Sequence, residues 1–118
     1  MALDHARSGQ VVALQTQAAE QAFAAAGARS HALFKSAQLE VMRLVLAAGS
    51  SLGEHSVPGE LTLQCLQGSA SVVADGSSQR LRGGELLYLR GGVAHSVRAV
   101  EDCVLLLTLV LCGRRDAA

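Results

Sequence analysis

The feature that most constrains this chain is its punctuation. From residue 38 onward, short apolar runs alternate with breaks rich in Gly, Ser and Asp. The runs are QLEVMRLVLA (38–47), LTLQCL (61–66), SASVVA (69–74), QRLR (79–82), LLYL (86–89), HSVRAV (95–100) and CVLLLTLVL (103–111). Between them lie GSSLG, VPG, QG, DGSS, GG, RGG and ED, which are loop and tight-turn compositions. No break is long enough for a crossover helix, so the sheet should be largely antiparallel. The segment SVVADGSSQRLR reads as a hairpin turning around Asp75 and Gly76. Many short strands with Gly-rich corners hide their edges by closing on themselves, so the fold class is all-β, a sandwich or barrel.

The first third is different. TQAAEQAFAAAGA (16–28) is rich in Ala and Gln, has no β-branched residue after Thr16, and places Gly27 where a helix would stop. It reads as a short helix or a loosely held arm. VVALQ (11–15) before it reads as a strand, one that could add to the edge of another subunit; disorder is the competing reading for a chain end. The expected organisation is an N-terminal arm over 1–35, a barrel over 36–113 and a tail over 114–118.

Composition narrows function by exclusion. At 118 residues the chain supports one modest core, and with only Phe23, Phe34 and Tyr88 as aromatics that core is aliphatic. Ten basic residues balance ten acidic ones and form no stripe interleaved with aromatics, which argues against a nucleic-acid partner. VLLLTLVL (104–111) falls far short of the ~20 residues that span a bilayer, so no membrane partner is expected. The start, MALDHARSGQ, lacks a secretory pattern. Cys65, Cys103 and Cys112 are an odd set without a CxxC pair and fit reduced thiols; a cytoplasmic location is expected.

GEHSVPGEL (53–61) and GELLYLRGGVAHSVRA (84–99) carry the chain's chemistry. Together the segment from Gly49 to Ala99 resembles the cupin family in motif order and spacing. The first cupin motif, G-x5-HxH-x3,4-E-x6-G, lies over Gly49, His55 and Gly68. The second, G-x5-PxG-x2-H-x3-N, lies over Gly84, Gly92 and His95. The resemblance covers about half of the chain at motif level. It implies a double-sheet jelly-roll barrel (a double-stranded β-helix, RmlC-like) with an internal pocket, and commonly a homodimer. The implied pocket residues are His55, Val57, Leu61, Leu63, Cys65, His95 and Val97.

Metal-binding cupins use two histidines and a glutamate of the first motif and the histidine of the second. Here His55 and His95 match the outer two. Val57 stands in place of the second histidine and Leu61 in place of the glutamate, with Glu60 one position early; Arg90 and Ala99 replace the proline and asparagine of the second motif. In LTLQCL, Leu61, Leu63 and Cys65 share one face and Thr62 and Gln64 the other. Glu60 continues the Thr62 series and points outward, unless Pro58-Gly59 re-aims it. The implied cofactor is therefore none, or a divalent transition metal held by His55, His95 and Glu60.

Other groups have plainer readings. Glu54 and Glu60 are candidates for an acid and base pair, but loop carboxylates are ordinarily solvated. Cys65 on an apolar face reads as a small core residue, since nucleophilicity needs a lowered pKa that aliphatic surroundings oppose. Arg90 and Arg98 are candidates to rim the pocket, and Tyr88 to sit at the pocket or an interface. Three functions follow. The first is a module binding an unknown small molecule in an aliphatic pocket. The second is a metal-dependent cupin enzyme, a dioxygenase or isomerase, working through His55, His95 and Glu60. The third is an interaction protein that pairs through VVALQ or CVLLLTLVL.

Overall fold

Among the described residues nine strands form, seven where the apolar runs predict them and two where they do not. In this computed structural model, which describes residues 5–14 and 27–111, they are β1 Ala28–Lys35, β2 Leu39–Leu46, β3 Ser51–His55, β4 Leu61–Gln67, β5 Ser69–Ala74, β6 Ser77–Arg82, β7 Leu86–Leu89, β8 His95–Ala99 and β9 Cys103–Val110. They build two sheets, β1-β2-β9-β4-β7 and β3-β8-β5-β6, and every pairing is antiparallel. No helix among the described residues is long and apolar enough to cross a membrane.

The core lies between the sheets. In β4 the alternation holds, with Leu61, Leu63 and Cys65 buried and Thr62 and Gln64 half-buried. From β2 and β9, Leu46, Cys103 and Leu105 reach the same interior and are almost wholly shielded. Strand β9 sits between β2 and β4; on the face turned away from the core Val104 is buried, Leu106 and Thr108 are half-buried and Val110 is exposed. Val104 points the other way and packs with Val45 and Leu66. The expected hairpin turn is present: Asp75 and Gly76 have φ of 52° and 74°, and Ala74 pairs Ser77 across them. Two consecutive positive φ values define the tight turn whose twist suits paired strands, and Asp-Gly accepts them readily.

The first third differs from its expected reading. β1 falls inside the segment assigned to the arm, so the sheet begins at Ala28. ARSHALFK lacks a clean apolar alternation because it is an edge strand, exposed at half of its positions and bulged between Ala32 and Phe34. Val11 to Leu14 are not strand. They lie on their own chain: the Arg43 guanidinium, projecting from β2, donates to the carbonyls of Ala13 (3.4 Å) and Leu14 (3.1 Å). An arginine does not lose its proton, so the His31 Nδ1 atom 3.3 Å away accepts from it. Most of the expected helix, residues 16–28, lies outside the described residues.

Candidate functional site

A cavity of about 410 Å³ opens between the two sheets. Leu61 and Leu63 of β4, Leu107 and Leu109 of β9, Leu44 of β2 and Val97 of β8 supply much of its wall. Leu44, Leu107 and Leu109 were not among the expected pocket residues. LTLVL is apolar at nearly every position, so nothing in it says which residues face in. Of the expected pocket residues, His55, Val57, Leu61, Leu63, His95 and Val97 line the cavity. Cys65 does not. It is fully buried beyond the wall, with its thiol against the carbonyls of Gln67 (3.3 Å) and Gly68 (3.4 Å). Burial pushes that thiol above its ordinary range, which removes it as a nucleophile.

The polar end of the cavity is a pair of histidines. Strands β3 and β8 place His55 directly opposite His95, with ring centroids 4.4 Å apart and planes inclined by 55°. A regular strand would not do this. Leu52 faces the cavity opposite Val97, and strict alternation would turn the side chain three residues later outward. The register shifts between Leu52 and His55, so the one residue more on β3 brings His55 back to the inner face.

Both rings are held in the same way. His55 Nδ1 lies 3.1 Å from the Gly53 carbonyl, and His95 Nδ1 lies 3.0 Å from the Val93 carbonyl. A carbonyl only accepts, so each Nδ1 carries a proton, and Nε2 is the atom that offers a lone pair whenever the ring is neutral. His95 is 5% exposed, and no described residue hydrogen-bonds its Nε2. Val57 is set by a neighbouring contact: its carbonyl accepts from the Gly92 N–H at 2.8 Å. The loops of the two motifs approach so closely here that a Cβ on Gly91 would run into the Pro58 carbonyl.

Glu60 does not join this pair. It is exposed on the outer face, and the Tyr88 hydroxyl donates to its Oε2 at 2.6 Å. The alternation of β4 prevails over any re-aiming by Pro58-Gly59, because Thr62, two residues on, sits opposite Tyr88 on that same side. The bond to the carboxylate raises the Tyr88 pKa. Among the described residues, no three His, Cys, Asp or Glu side chains come together in a group able to hold a metal ion. Two imidazoles are fewer ligands than the three or four protein groups a transition-metal centre uses, so the described residues do not fit one. Val57 and Leu61, in the positions of the other two ligands, are part of the apolar wall.

The arginines are elsewhere as well. Arg90 pairs with Asp75 at 3.4 Å, with both side chains exposed. Arg98 stands between Ser51 and Ser71 on the outward side of the four-stranded sheet, and neither arginine lines the cavity.

Two antiparallel sheets closing over an apolar cavity define a jelly-roll barrel. No family model and no curated protein matches the chain, but solved structures do. A conserved protein of unknown function from Streptococcus pyogenes superposes with a TM-score of 0.72 at 25% identity, over 91% of each chain. A cupin superfamily protein from Desulfitobacterium hafniense gives 0.69 at 21% identity, over 71% of this chain and 77% of that one. An RmlC-like cupin from Desulfovibrio desulfuricans gives 0.66 at 23% identity, over 92% and 97%. The chain has the fold of a small cupin.

Proposed function

We propose that this cupin binds a small apolar molecule inside its barrel, with His55 and His95 as the polar end of the site. The observation that carries this reading is the cavity itself, about 410 Å³ of aliphatic wall lined also by two imidazoles, His95 buried and His55 exposed. That volume lies within the range of small-molecule pockets, and a few convergent polar groups in an apolar cleft are what such pockets share. The metal-dependent dioxygenase or isomerase reading loses its support because Glu60, its third ligand, faces away from the histidines.

Titration with toluene, followed by methyl NMR, tests the reading. The methyl resonances of Leu61, Leu63, Leu107 and Leu109 are expected to shift saturably, and Leu107→Trp, which fills the cavity, to abolish the response. Resonances unmoved up to the solubility limit of toluene would overturn it.

A further inference from the structure

We infer that the ligand is a neutral molecule carrying a hydroxyl, an alcohol or phenol whose O–H donates to an imidazole Nε2. The inference rests on the reading that the barrel binds an apolar molecule, and adds what its polar group must be. Both Nδ1 atoms are committed to backbone carbonyls, His55 to Gly53 and His95 to Val93. The histidine pair therefore offers lone pairs and no proton when its rings are neutral. The His95 Nε2 is a buried acceptor without a donor among the described residues. Leaving such an atom unpaired is costly, so the occupant of the cavity should supply the missing proton.

The remaining lining decides the charge of that occupant. Among the described residues no Arg or Lys lines the cavity, so a carboxylate would meet no guanidinium or ammonium there and would set its oxygens against the lone pairs of neutral imidazoles. No described Asp or Glu lines it either, so an ammonium would also be buried without a counter-charge. A neutral hydroxyl meets the acceptor without that cost, and its apolar body meets leucine and valine.

Three probes of one body separate the possibilities: 4-propylphenol, 4-propylanisole and 4-propylbenzoate, titrated by calorimetry. The phenol is expected to bind about tenfold more tightly than its methyl ether, the worth of one buried hydrogen bond, and the benzoate most weakly. In His95→Phe, which keeps a ring and loses the acceptor, the phenol and ether are expected to converge while toluene still binds. Equal affinity of phenol and ether in the wild type, or a preference for the benzoate, overturns the inference and leaves the apolar-pocket reading standing. Failure of all probes and of toluene overturns both. A phenol preference that disappears with a chelator also overturns the inference, because an ion would then occupy the Nε2 atoms. If His95→Phe does not fold, ¹⁵N NMR of the wild-type imidazoles decides: Nε2 of His95 should resonate as an unprotonated nitrogen, and a protonated Nε2 refutes the proposal.

Discussion

At the scale of single residues, the decisive contrast is between groups that look reactive and groups that are. Cys65 and Cys103 are both buried free thiols, and burial pushes the Cys103 pKa up to about 12 from its ordinary value of 9.0. Neither should react with a thiol reagent in the folded protein. In a Cys112→Ser background, a disulfide reagent such as DTNB is expected to label both only after denaturant is added; prompt labelling in buffer would contradict their burial. The same shift sets a pH dependence. Between pH 9 and 12 the unfolded chain releases the Cys103 proton while the folded chain keeps it, so the unfolded state binds fewer protons and stability falls as pH rises. Below the unfolded value this contribution is fully present. Replacing Cys103 with Ala should flatten the decline between pH 9 and 12, as read from urea midpoints across that range.

At the scale of elements, the site depends on how two loops and two strands meet. The loop before β4 and the loop before β8 touch at Pro58 and Gly91, where there is no room for a side chain, and the Gly92–Val57 bond fastens them. Gly91→Ala is expected to lower stability by about 1–3 kcal/mol, the usual cost of forcing a group into filled space, and to weaken ligand binding by displacing Val57. Chemical denaturation and the toluene titration would read both effects; an unchanged denaturation midpoint would show that the loops yield freely. The strands carry a second lesson. Alternation in LTLQCL was legible in the sequence and placed Leu61 and Leu63 on their proper face. Alternation alone would have turned His55 outward, because a bulge leaves no mark in a run such as SLGEH that has no apolar rhythm to interrupt.

At the scale of the whole molecule, a ligand that fills an apolar cavity adds its binding energy to folding. Saturating the barrel with 4-propylphenol at about a hundred times its Kd should raise the unfolding free energy by about 2.7 kcal/mol. The midpoint temperature should rise with it, and the rise should be lost in Leu107→Trp. A thermal scan insensitive to ligand concentration would place the probe outside the native cavity. The cavity has its own cost, since leucine side chains that line it forgo part of the packing that a filled core would provide.

By itself the sequence determined the all-β class, the positions of seven of the nine strands among the described residues, and the Asp75-Gly76 turn. These follow from local rules, because turn residues and the period of apolar side chains act within a few neighbours along the chain. Tertiary structure decided the rest. The edge strands β1 and β3 form because a neighbouring strand offers hydrogen bonds, whatever their own weak pattern. Cys65 ended behind the wall instead of in it, and Glu60 was settled on the outer face beside Tyr88. The protonated nitrogen of each imidazole was decided by a carbonyl that only the folded backbone brings within 3.1 Å. What the site can accept depends on where lone pairs point, and that direction exists only once the chain has closed.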